Sequence, residues 1–147
     1  MKSLLKVFYL LPVAVVLAVV LCLEWNHAKP PPVRVMSGRP FLSTPITNLT
    51  ANFFTSEGHL GPAANDVFIE FRDADGTLAD VGKVTFELVL AGPGAIMHSV
   101  FKPLRTSTPG QYRVNVQPQI VGDWQGKLFI GERANHVEAD FPVTVRQ

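Results

Sequence analysis

From Thr47 to the C-terminus, apolar side chains recur at every second position in short runs, and each run ends on turn-forming residues. A period of two gives an extended strand one apolar face, whereas a helix needs a period near 3.6. Leu49, Ala51 and Phe53 form the first set, and Val67, Ile69 and Phe71 form the second. Val84, Phe86, Leu88 and Leu90 follow, and Val100 with Phe101 begins a short edge-like piece that Pro103 ends. Tyr112, Val114 and Val116 come next, then Trp124, Gly126, Leu128 and Ile130, and last Phe141, Val143 and Val145. The breaks carry their own chemistry. Asp73-Ala74-Asp75-Gly76 reads as a hairpin turn, because Asp bonds its own backbone and Gly supplies a positive φ. Ala91 to Gly94 and Pro109-Gly110 are further turns. These strands, seven within about 100 residues and with no helical periodicity, predict an all-β, immunoglobulin-like antiparallel sandwich over 47–147. A small antiparallel barrel is the alternative.

The N-terminus is of a different kind. Val7 to Leu23 is seventeen residues without a charge, about 26 Å of helix against a hydrocarbon core of roughly 30 Å. Leu4 and Leu5 lengthen it, and Lys6 can snorkel back to the headgroups. Lys2 and Lys6 precede the segment and Glu24 follows it, which predicts a cytoplasmic N-terminus and an exported body. Residues 1–27 therefore read as one transmembrane helix in the inner (cytoplasmic) membrane, crossing once, with a periplasmic or extracellular domain behind it. A cleaved signal peptide is the rival reading, but the residues around Cys22 lack a small-x-small cleavage pattern. Three consecutive prolines, Pro30 to Pro32, make 28–46 a stiff, extended tether.

Twelve prolines and eleven glycines suit short strands joined by turns. A formal net charge of +1 with no long basic run excludes the electrostatic footprint of a nucleic-acid binder. The single cysteine, Cys22, lies in the hydrophobic segment, so the domain has no internal disulfide or thiolate metal site.

One stretch is similar to a known family. The run from Asn65 to Ile130 resembles the YtkA-like domain, a relative of the FixH-like group of membrane-anchored bacterial proteins. The carrying residues are NDVFIEFRDADG (65–76), KVTFELVL (83–90), a methionine-bearing loop GAIMHS (94–99), PGQYRVNV (109–116) and GDWQGKLFI (122–130). The resemblance implies an immunoglobulin-like extracytoplasmic domain without known catalysis. Its FixH-like relatives are associated with assembly of copper-containing respiratory oxidases. Family members often carry two or more methionines in that loop, whereas this chain has Met97 beside His98.

Met97 and His98 are the candidate metal ligands, since thioether and imidazole suit copper(I) without a thiol. Two adjacent residues do not close a site, so His59, His136 or Met36 would have to converge on them. The plainer reading is a methionine covering the end of the core beside a solvated histidine. His136, Glu138 and Asp140 alternate on one strand face, which fits either ligands or an exposed edge strand. Asp73 and Asp75 lack the other ligands of a calcium loop and read as a turn. Asn48-Leu49-Thr50 matches a glycosylation acceptor and reads as a strand start. Trp124 and Tyr112 read as core residues rather than a ligand platform. No nucleophile elbow, H-E-x-x-H or phosphate loop is present, so no enzyme, catalytic residue or resident cofactor is expected. The expected function is a membrane-tethered accessory domain that engages another membrane or periplasmic protein through an edge strand or end loops, with respiratory-complex assembly as the setting the resemblance implies; a copper-handling module is the alternative.

Overall fold

Nine strands follow one another in the computed structural model, which describes residues 38–92, 95–132 and 135–147. They are β1 (Leu42–Ile46), β2 (Leu49–Phe54), β3 (Asn65–Arg72), β4 (Val84–Gly92), β5 (Ala95–Phe101), β6 (Leu104–Arg105), β7 (Gln111–Val116), β8 (Gly122–Glu132) and β9 (Asn135–Val145). Two open sheets result, ordered β1-β2-β3-β7-β6 and β5-β4-β8-β9, and every ladder is antiparallel. The barrel alternative is thereby excluded. An isolated parallel bridge, Leu60↔Val145, ties the segment before β3 to the end of β9.

The alternation read in the sequence becomes the inner faces of these sheets. Ala51, Phe53, Val67, Ile69, Phe71, Tyr112, Val114 and Val116 come from one sheet. Val84, Phe86, Leu88, Trp124, Leu128, Phe141, Val143 and Val145 come from the other, and all belong to one buried cluster. Phe53 joins the layers, its ring centroid 5.6 Å from Phe86 and 5.3 Å from Phe141. Each large apolar side chain buried in this way contributes roughly 1.5–3 kcal/mol. The fold is thus all-β and sandwich-like. Trp124 and Tyr112, 2% and 1% exposed, are core residues as expected.

Two close fits fix the layers. Gly126 faces Phe141 across β8 and β9, and a Cβ at Gly126 would stand 2.8 Å from Phe141 Cδ2. Tyr112 Oη lies 2.8 Å from Asp80 Oδ1 and 2.9 Å from Gly82 O, and it accepts from Val81 N at 3.3 Å. That cluster fastens the start of β7 to the segment leading into β4. Burial and the Asp80 carboxylate both hold the Tyr112 hydroxyl proton, so its pKa is raised. Hydrogen bonds from Gly82 N and Tyr112 to Asp80, with the Arg105 charge, hold the Asp80 carboxyl below its usual range.

Several expectations are corrected. The stretch read as tether to residue 46 ends earlier, because Leu42–Ile46 is strand β1. Leu42, Thr44 and Ile46 alternate towards the core while Pro45 is exposed, a position that an edge strand tolerates. Thr47 and Asn48 then make a two-residue hairpin turn, with Thr47 at φ 55°. The count of seven strands misses β1 for its proline and β6 for its length of two residues. Asp73 Oδ1 accepts from Asp75 N and Thr77 N as a turn should, but the turn makes one bridge, Arg72↔Leu78, and no hairpin. β3 and β4 belong to different sheets. The anchor at 1–27, Pro30 to Pro32 of the tether, Cys22 and Met36 lie outside the described residues. Among the described residues no helix is long and apolar enough to cross a membrane.

Candidate functional site

The segment read as a methionine-bearing loop is mostly strand: β5 begins at Ala95 and pairs along its length with β4. This changes the metal argument. In a strand, neighbouring side chains point to opposite faces. Met97 stands opposite Leu90 and packs against the core, whereas His98 stands opposite Val89 on the outer face. His98 Nε2 donates to Glu87 Oε2 at 2.9 Å, in an exposed pair. Met97 and His98 therefore do not converge.

The other two described histidines stand elsewhere. His136 lies on β9 opposite Gly131, its ring centroid 5.5 Å from that of Phe129. Gly131 N bonds Lys83 O, so its row meets β4 six residues from Val89, the β4 partner of His98. That is about 20 Å along the strand, and the two histidines also occupy opposite edges of the sheet. His59 Nδ1 donates to Glu57 O at 3.1 Å and lines a cavity of about 200 Å³ with Phe41, Leu42, Pro142 and Arg146. Glu138 lies 3.9 Å from His136 Nε2, and Lys127 Nζ lies 3.3 Å from Glu138 and 3.3 Å from Asp140. Their hydrogen bonds and charge raise the Lys127 pKa. Among the described residues no three His, Cys, Asp or Glu side chains are grouped to hold a metal ion.

What the fold does present is a set of four sheet edges with unlike protection. An edge strand exposes a row of unpaired backbone groups, and proteins blunt such rows with proline, charge, cover or brevity. β1 carries Pro45 at an exposed position. β6 is two residues long, and Arg105 is held 3.0 Å from Asp80. β9 carries Pro142 and the charged pair Glu138 and Asp140, and Leu60 bridges its end. β5 has none of these devices: its seven residues, Ala-Ile-Met-His-Ser-Val-Phe, contain no proline, lysine, arginine or carboxylate. Its outer face shows Ile96 at 75% and Val100 at 52% exposure, on either side of His98.

The chain matches no protein-family model, no curated protein and no solved structure.

The site must therefore be argued from this edge. Sequence reasoning singled out Met97 and His98 inside it but missed what the strand offers as a whole. A signal existed, because 95–101 holds seven residues without proline, lysine, arginine or carboxylate. That signal has meaning only once β5 is known to have a neighbour on one side alone. Chemically, such an edge offers backbone donors and acceptors to an extended chain, with two apolar side chains to grip it.

Proposed function

We propose that this protein is a non-catalytic, membrane-tethered accessory domain that binds a membrane or periplasmic protein partner by strand addition at β5. The observation that carries the proposal is the unguarded edge, seven residues long, with Ile96 and Val100 exposed beside it. Backbone pairing would supply affinity, and the two side chains would select apolar residues at alternate positions of the incoming strand. The uncharged segment from Val7 to Leu23 supports the tether, which raises the effective concentration of the domain at the membrane surface.

An immunoglobulin-like architecture belongs to the same proposal. Its support is strand order: β2-β3-β7-β6 runs as A-B-E-D, and β4-β8-β9 runs as C-F-G, with β5 added beyond C. β1 is an extra strand beside A, and Trp124 sits on the F-like strand rather than on C. The resemblance to FixH-like proteins points to respiratory-complex assembly as the setting.

The test is site-specific photo-crosslinking in the full chain in its membrane. A crosslinker at Val100 should capture a protein partner, whereas one at exposed Asn115, on the outer face of the other sheet, should not. Equal capture at both positions, or capture at Asn115 alone, would contradict docking at β5.

A further inference from the structure

We infer that the strand accepted by β5 is β5 of a second copy of this chain, paired antiparallel about His98. This inference rests on the proposed use of β5 as the docking edge and names its occupant. The run Ala95–Phe101 is self-complementary about its centre. Antiparallel pairing of the strand with itself at His98 sets Ala95 opposite Phe101, Ile96 opposite Val100 and Met97 opposite Ser99 of the second copy. Each pair then occurs twice by symmetry.

On the outer face Ile96 would cover Val100 of the second copy, and these are the two exposed apolar side chains of the strand. On the inner face Met97 joins the smaller Ser99 of the second copy, which avoids crowding. At the centre His98 faces His98 of the second copy, and each imidazole already has its own Glu87 carboxylate 2.9 Å away. No other ionisable side chain of β5 enters the contact.

Other registers do worse. A shift of one residue opposes inner-facing to outer-facing side chains, which the pleat forbids. A shift of two sets Ile96 or Val100 against His98 and loses both apolar pairs. Because the contact is isologous it uses up the open edge of both copies, and the edges that remain are the guarded ones. The assembly therefore stops at two copies, with one continuous sheet ordered β9-β8-β4-β5-β5-β4-β8-β9.

The test is disulfide mapping in the full chain carrying Cys22→Ser, in its membrane and under mild oxidation. Residues opposed across an antiparallel pair have Cα atoms about 4.5–5.5 Å apart, within disulfide reach. His98→Cys alone should give a linked dimer. Ile96→Cys alone and Val100→Cys alone should not, since like residues then stand roughly 14 Å apart along the strands. Mixed together, those two variants should crosslink. Ile96→Lys, which introduces its charge twice, should weaken association about tenfold.

Absence of the His98→Cys dimer together with absence of the mixed crosslink, in chains with native circular dichroism, would overturn self-pairing. If the Val100 photo-crosslinker then still captured a different protein, and Ile96→Lys abolished that capture, β5 would remain the docking edge with another occupant. A dimer indifferent to Ile96→Lys would overturn the inference, and a Val100 photo-crosslinker that captured no protein at all would overturn the reading on which it rests.

Discussion

β5 and β9 bound the same sheet, yet they are built to opposite ends. β9 is eleven residues long, the more dangerous length for an exposed edge, and it is blunted along that length. Pro142 removes one backbone donor, Glu138 and Asp140 flank Lys127, and Leu60 bridges Val145. β5 is shorter and carries no such device, and its outward side chains are Ile96, His98 and Val100. Both strands pack against one core, β5 through Met97 and Phe101 and β9 through Phe141, Val143 and Val145, so contact with the core does not explain the difference. What separates them is exposure to other chains. An edge left open beside three that are guarded is the pattern expected of an edge that is used.

Substitutions can break or sharpen this contrast. The largest effect belongs to Gly126→Ala, which removes the space that seats Phe141 and with it β9. A Cβ 2.8 Å from Phe141 Cδ2 forces the ring from its place between Phe53 and Phe86. The expected loss is about 2–4 kcal/mol in urea unfolding, within the range for overpacked cores and displaced aromatics. A loss below about 0.5 kcal/mol, inside the ordinary range for surface substitutions, would mean that β9 is not held by this fit.

Met97→Ala should cost less, about 1–2 kcal/mol, because Met97 is only partly buried against the core. The same variant should leave copper(I) affinity unchanged in competition titration, since Met97 and His98 face opposite ways. A large loss of copper(I) binding would instead revive a shared site. Pro142→Thr should change stability by no more than about 0.5 kcal/mol while restoring a backbone donor to β9. Its signature is new concentration-dependent association by sedimentation, and an unchanged profile would mean that proline is not what guards this edge.

The smallest effect is a pH dependence at the short β6 edge, where Arg105 meets Asp80. Asp80 has its pKa lowered from 3.8, first by the Gly82 backbone hydrogen bond and then by Tyr112. A carboxyl with a lowered folded-state pKa adds stability above its unfolded value and loses it as pH falls through the folded value. Wild-type Tm should therefore drop below about pH 4, and the drop should be shallower in Asp80→Asn. Parallel curves would remove Asp80 from the account.

The sequence made much of this legible. Phe53, Phe71, Phe86, Tyr112 and Phe141 announce their burial through a period of two, because burial of one face is what selects that pattern. It could not announce β1, since Pro45 lies in the run and the preceding prolines share its composition. β6 is too short to have a period. The site was half legible: Met97 and His98 stood out by chemistry, but their opposite orientation follows from β5 being a strand. The openness of β5 depends on which strands pair with which, and topology is set by long-range packing that no local window contains.

Hydrogen exchange of the β5 amides tests the central claim most directly, comparing the full chain at high concentration with the same chain diluted. The account predicts added protection within Ala95–Phe101 at high concentration and little change in β1 and β9. Unchanged exchange in β5, or protection gained in β1 or β9 instead, would contradict it.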